Sequence, residues 1–128
     1  MMVSVSDHIV FVTGAGAGIG AATARRFAEE GARVIAADYQ GDRLEETLAG
    51  YKDRMWPVSL DLRNSDDVFE AIAGLPDDFK DVTILVNNAG VGPGLEPAHE
   101  ANLDDWEAIV DTNINVVLYC TRALLAGM

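Results

Sequence analysis

Thr13-Gly14-Ala15-Gly16-Ala17-Gly18-Ile19-Gly20 decides the fold, through what stands on either side of it. Before it runs His8-Ile9-Val10-Phe11-Val12, a short stretch of β-branched and aromatic character that suits a buried strand. After it, Ile19 to Glu30 reads as a helix with few interruptions. A glycine-rich turn from strand to helix leaves backbone N–H groups bare at the helix N-terminus, where aligned peptide dipoles present partial positive charge. Glycine also lets the backbone approach a phosphate closely and take dihedrals closed to other residues. The turn predicts a pyrophosphate seat at Gly14, Gly16, Gly18, Ile19 and Gly20.

Outward from the turn, strands and helices alternate. Apolar segments at Ile9–Val12, Arg33–Ala37, Met55–Ser59 and Thr83–Asn87 suit buried strands. Helical segments follow each of them, at Gly18–Glu30, Asp42–Ala49, Ser65–Ala73 and Leu103–Ala126. Gly31 stands where a helix C-terminal glycine belongs, and Ser65 and Asn102 are candidate N-caps. Such alternation builds a parallel sheet with helices on both faces, and near-continuous apolar strands fit a sheet covered on both sides. Pro57 cannot donate to a sheet ladder, so the third strand belongs at an edge. The expected fold is therefore α/β, a Rossmann-type doubly wound sheet of order 3-2-1-4. Ligands bind such sheets in the crevice between strands 1 and 4.

Composition narrows the classes of partner. The 128 residues suit one domain, residues 1–128, and an apolar fraction of 49% argues against disorder. No apolar run approaches the ~20 residues of a membrane span, and the N-terminus lacks a secretory pattern, so the cytoplasm is expected. Cys120 is the only cysteine, which leaves no internal disulfide and no cysteine-rich metal site. Nine basic residues against 21 acidic ones give a net charge of −12, which argues against nucleic acid and anionic lipid. His8 and His99 have no metal-like spacing, and packing or surface roles suit them better.

Asp38 ends the second strand, eighteen positions after Gly20, where a carboxylate can accept from the adenosine ribose hydroxyls. The same charge repels a 2′-phosphate, by about 1–3 kcal/mol at a partly solvated site. Tyr39 and Gln40 are neutral, and Arg43 is the one nearby cation. These residues favour NAD over NADP.

With these motifs in place, the chain resembles the N-terminal half of a short-chain dehydrogenase/reductase. The resemblance rests on the turn at Thr13, Gly14, Gly18 and Gly20, on Asp61-Leu62, on Asn87-Asn88-Ala89-Gly90, and on Asn113 of the last helix. It implies that the Asp61 carboxylate takes the adenine amino group while the Leu62 N–H meets a ring nitrogen. Asn88 has two readings of equal weight, a clamp on the sheet end or a ligand contact, and small Ala89 and Gly90 let the ribose pass. Asn113 lies on an apolar stripe that includes Trp106, Val116 and Cys120, and the resemblance gives it a catalytic part, holding a water in the proton relay. The family's remaining catalytic groups, a serine and a tyrosine with lysine four residues later, have no counterpart among Tyr39, Tyr51 and Tyr119.

The implied activity is hydride transfer between nicotinamide and a secondary alcohol or its carbonyl, with these residues forming the cofactor-binding half and inactive alone. Other readings are a stand-alone NAD-binding module and a non-catalytic interaction protein; the completeness of the motifs favours part of a longer enzyme lacking its C-terminal strands. Leu95-Glu96-Pro97-Ala98-His99 and Asp104-Asp105-Trp106-Glu107 resemble the branch that oxidises serine and other 3-hydroxy acids. That branch commonly uses NADP with basic residues near the position of Asp38, and this chain departs from it there. An open apolar edge at the fourth strand and the long last helix predict a homo-oligomer.

Overall fold

The computed structural model describes residues 3–128. Its centre is β1 (Ile9–Thr13), paired in parallel with β2 (Arg33–Asp38) on one side and β4 (Ile84–Val86) on the other. β3 (Met55–Ser59) pairs with β2 and forms an edge, giving the order β3-β2-β1-β4. Pro57 sits in that edge strand, in register with Ala36 of β2. The helices are α1 (Gly18–Glu29), α2 (Gly41–Leu48), α3 (Ser65–Ala73), α4 (Leu103–Val110) and α5 (Val116–Leu124).

Side chains of a strand alternate between faces, and the two cores follow that rule. Val10, Val12, Val34 and Ala36 pack on one face with Ala24 and Ala28 of α1 and Leu44 and Leu48 of α2. Ile9, Phe11, Ile35 and Ala37 pack on the other with Val68 of α3 and Val116, Cys120 and Leu124 of α5. The doubly wound arrangement is thus present with these four strands. Gly31, at φ 96°, turns the chain out of α1 as expected. Asn102 caps α4 by accepting from the Asp104 N–H at 2.8 Å. At α3 the cap is Asn64, whose Oδ1 accepts from the Asp67 N–H at 3.2 Å, and Ser65 is instead the first helical residue.

The expected single helix from Leu103 to Ala126 is interrupted. A π-helical turn, Asp111–Asn115, separates α4 from α5, and a 3₁₀ turn, Leu125–Gly127, follows. One extra residue in a π turn rotates everything beyond it relative to what precedes. The apolar stripe consequently splits. Val116, Cys120 and Leu124 are buried, while Leu103, Trp106 and Val110 face solvent. Asn113 lies within the π turn and is exposed, so its expected place on a buried stripe is corrected. β4 is also shorter than expected, and just before it the Thr83 hydroxyl meets His8 Nδ1 at 2.8 Å and accepts from the Ile9 N–H at 3.2 Å. No helix among the described residues is long and apolar enough to cross a membrane.

Candidate functional site

Beyond the C-terminal ends of the strands lies a cleft of about 880 Å³. Gly14, Ile19, Asp38, Asp61, Leu62, Asn88, Ala89 and Gly90 all line it, so residues scattered over most of the sequence meet in one place. Gly16 and Gly18 line a smaller cleft on the outer side of the turn, shared with Arg25 and Arg43. Gly20 lies beneath the turn, where an added Cβ would overlap the Gly14 carbonyl and the Asn88 amide. Asn113 stands behind the cleft wall.

The glycine turn is held from three sides. Ala15 N–H donates to Ala37 O at 3.0 Å, Gly16 N–H donates to Asp38 Oδ2 at 3.0 Å, and the buried Thr47 hydroxyl donates to Ala15 O at 2.8 Å. Gly14 and Gly18 take φ of 64° and 55°, the left-handed region where a side chain is strained. A Cβ at Gly18 would meet nothing within 4 Å, so the turn is open to a ligand there. The N–H groups of Gly18 and Ile19 make no backbone hydrogen bond among the described residues, as the first turn of a helix dictates. These bare donors, at the positive end of α1, are what an anion would meet.

Thr13 ties β1 to β4. Its buried hydroxyl accepts from the Asn88 N–H at 3.0 Å and the Ala89 N–H at 2.9 Å. In return Asn88 Nδ2 donates to Thr13 O at 3.0 Å and to Gly14 O at 3.2 Å. Of the two readings of Asn88, the geometry is that of a clamp, which fixes the crevice at the switch point between β1 and β4. Asn87 is exposed.

Asp38 closes the β2 end. Its Oδ2 takes the Gly16 N–H, and its Oδ1 accepts from the Gln40 N–H at 3.0 Å. Across the cleft, Asp61 forms a forked ion pair with Arg63: Arg63 Nε lies 2.9 Å from Oδ1 and Nη2 lies 2.8 Å from Oδ2. Hydrogen bonding from the Arg63 side chain holds the Asp61 carboxyl below its usual range. Leu62 turns its side chain into the core, and its N–H makes no hydrogen bond among the described residues.

Asn113 grips the loop that follows β4. Its Oδ1 accepts from the Val91 N–H at 2.8 Å and its Nδ2 donates to Val91 O at 2.9 Å. Cys120 is buried, and that burial pushes its thiol up to about 11, as suits an inert packing group.

The sequence marked Arg43 only as the one cation near Asp38 and marked neither Thr47 nor Arg63, although all three touch or line this region. Thr47 had a signal: it falls beside Leu44 and Leu48 on the inward face of α2, where a lone hydroxyl needs a partner. Arg63 had a weaker one, its position two residues beyond a candidate ligand carboxylate.

A glycine turn under a helix, a β1–β4 crevice and a carboxylate at the end of β2 together have the form of a dinucleotide-binding site. The profile of the short chain dehydrogenase family matches residues 8–128, and the chain belongs to that family. It is 45% identical over 120 residues to an NADP-dependent 3-hydroxy acid dehydrogenase of Shigella flexneri, covering 94% of this chain and 48% of the relative. It is 43% identical over 116 residues to a serine 3-dehydrogenase of Agrobacterium fabrum, covering 91% and 47%. Among solved structures, a closed form of serine dehydrogenase complexed with NADP+ superposes with a TM-score of 0.90 at 45% identity, over 94% of this chain and 48% of that one. The chain thus spans about half the length of the curated relatives it matches.

These relatives overturn the expectation of NAD, since those whose cofactor is printed use or hold NADP. The physical error lay in treating Asp38 as a free charge. Both its oxygens accept backbone N–H groups, which spread its charge, and Arg43, with no ion pair among the described residues, lies against the same turn.

Proposed function

We propose that this chain is the cofactor-binding part of an NADP-dependent oxidoreductase acting on a secondary alcohol or its carbonyl, with 3-hydroxy acids as the nearest substrate class. The observation that carries the reading is the convergence of the glycine turn, Asp38, Asp61-Leu62 and Asn88-Ala89-Gly90 on one cleft. The residues fit the cofactor: the space over Gly18 is open, the α1 donors are bare, and Arg43 has no ion-pair partner among the described residues. When bound, NADP supplies the hydride acceptor or donor.

The turn from Gly14 to Gly20 would seat the pyrophosphate, Asp38 the ribose, Arg43 the 2′-phosphate, and Asp61 with Leu62 the base. Ala89 and Gly90 leave room for the second ribose. Asn113 is assigned a positioning part, since it holds the Val91 backbone and so the wall that Val91, Gly92 and Pro93 give the cleft. The relatives' names and the family's hydride chemistry support the substrate class. The 128 residues hold no tyrosine with a lysine four residues on, so binding without turnover is expected of them alone.

Calorimetric titration of NADP and NAD tests the reading. NADP should bind tighter, and Arg43→Gln should reduce that preference by about tenfold, the equivalent of ~1.4 kcal/mol. Equal affinity for the two cofactors overturns the assignment of Arg43, and failure of both to bind overturns the function.

A homo-oligomer acting in the cytoplasm completes the proposal. Leu103, Trp106, Val110, Ile114 and Leu118 form an exposed apolar stripe along the helical segment, the kind of face that another copy covers. The buried single thiol suits a reducing compartment. Light scattering on the purified chain tests association, and a monomer throughout the micromolar range overturns it.

A further inference from the structure

Thr47 is a fully buried polar side chain on the inward face of α2, beside Leu44 and Leu48. A threonine inside a helix ordinarily turns its hydroxyl back to the carbonyl four residues earlier. Here that acceptor, Arg43 O, lies at 3.2 Å, and the Ala15 carbonyl of the glycine turn is nearer, at 2.8 Å. A hydroxyl has one hydrogen to give, and the shorter contact crosses from helix to turn. Ala15 is itself fully buried, and its carbonyl has no other hydrogen-bond partner among the described residues. Burial keeps water from standing in for the hydroxyl, so the bond is costly to lose.

Other ties join α2 to the unit formed by the turn and α1. The Asp38 carboxylate takes the Gly16 N–H of the turn and the Gln40 N–H at the head of α2. Arg25 of α1 donates from Nη2 to Glu46 O at 3.0 Å and from Nε to Thr47 O at 3.4 Å, a cation at the negative end of α2. These contacts hold the two ends of α2 and reach solvent in part. The Thr47 bond is buried and joins the helix directly to the turn. Arg43 stands one helical turn before Thr47, on the same face. A Cβ on Gly16 would come within 3.1 Å of Arg43 Cβ, so the foot of the arginine and the turn are in close register.

We propose that Thr47 is a positioning residue for cofactor choice: by tying α2 to the glycine turn it sets the spacing between the pyrophosphate seat and Arg43, the cation offered to the 2′-phosphate. The proposal rests on the reading of the cleft as an NADP site. NADP must reach both points at once, whereas NAD carries no group for Arg43. A displaced α2 therefore weakens NADP more than NAD. A hydroxyl that served stability alone would weaken both alike.

NADP and NAD are titrated by calorimetry into the 128-residue chain and into Thr47→Val, Thr47→Ser, Arg43→Gln and the double variant Thr47→Val with Arg43→Gln, with thermal melts alongside. Sucrose in the buffer favours the folded state, so destabilised variants are read folded. Thr47→Val keeps the shape and loses the donor, and should lower the preference for NADP by about fivefold, within the range for groups coupled in one network. Thr47→Ser keeps the donor and loses a methyl. It should melt below the parent and keep the parent's preference within about twofold. In the Arg43→Gln background, Thr47→Val should change the preference no further. Thr47→Val that melts lower with its preference unchanged overturns the inference. So does Thr47→Ser that loses preference along with stability, or a further loss in the double variant. Each of these leaves the NADP reading standing, because that reading is tested on the unaltered chain. It fails there if NADP binds no tighter than NAD, and this inference then fails with it.

Discussion

On the β2 side of β1, the glycine turn, α1 and α2 pack against strands whose central residues are all buried. The inward face of α1 is Gly20, Ala21, Ala24 and Ala28, small residues that let the helix lie close to the sheet. On the β4 side, the strand is three residues long and half-buried, and α4 buries none of its side chains. The first region is specified by its own sequence, through glycines that only one backbone path accommodates and donors that have one nearby acceptor. The second is held by a few long-range bonds, chiefly Thr13 with Asn88 and Asn113 with Val91. Ligand-binding walls tend to be drawn from such lightly packed segments, and the difference makes the β4 side the place where binding would alter order.

The comparison is broken most severely at Gly20. A Cβ there would overlap the Gly14 carbonyl and the Asn88 amide, both part of the framework. Gly20→Ala should cost about 3 kcal/mol or more, the upper range for overpacking, read as a lower urea midpoint with an unchanged slope. A cost below 0.5 kcal/mol, a surface-like value, would show the turn to be far more compliant than its geometry says.

Thr13→Val tests the bond between the two regions with a smaller step. It keeps the shape and removes the oxygen that accepts from Asn88 and Ala89, leaving two part-buried N–H groups without that partner. The expected loss is about 1–3 kcal/mol. Hydrogen exchange should localise it: the Asn88 and Ala89 amides gain exchange by more than those of β2. Uniform acceleration across the sheet would mean that β4 and β2 unfold as one unit, and would erase the distinction drawn above.

The contrast also explains what the sequence made legible. Strand order followed from alternation and from Pro57, and the two-faced core followed from the period of the strands. The glycine turn was readable because its demands are local. Asn113 was assigned to a buried stripe because helical spacing assumes 3.6 residues per turn throughout, and one π turn at Asp111–Asn115 rotates the stripe. Side-chain spacing carries no mark of that extra residue. Asp38 was read as a free charge because the donors that occupy it, Gly16 and Gln40 N–H, are backbone groups and leave no trace in residue type. Arg63 escaped for a related reason. Its forked contact with Asp61 is a matter of rotamers.

On the β4 side, Trp106→Glu probes the exposed stripe. Trp106 is 46% exposed, so its removal should cost the monomer about 1 kcal/mol, well below the loss expected for a fully buried tryptophan. The same substitution should dissociate the proposed homo-oligomer, read by light scattering, because it places charge in the middle of the apolar face. A large loss of stability with no change in assembly would show the stripe to be packed within the chain.

The smallest effect sharpens the comparison at the cleft's far end. Hydrogen bonding from Arg63 lowers the folded Asp61 carboxyl below its ordinary value of 3.8. A depressed carboxylate favours the folded chain wherever it is ionised. Its contribution is therefore full above the unfolded value and is lost as pH falls from about 4 through the folded value. The pair is half exposed on both sides, so screening limits the effect to about 0.5 kcal/mol. Asp61→Asn should reduce stability by that amount near neutral pH and in low salt, and the difference from the parent should shrink as the pH falls below 4 or as salt rises. An unchanged difference at acid pH would show that the loss does not come from charge, and since an asparagine oxygen still accepts the Arg63 N–H, it would not come from that backbone bond either. The Asp61–Arg63 ion pair would then be incidental to the stability of the loop.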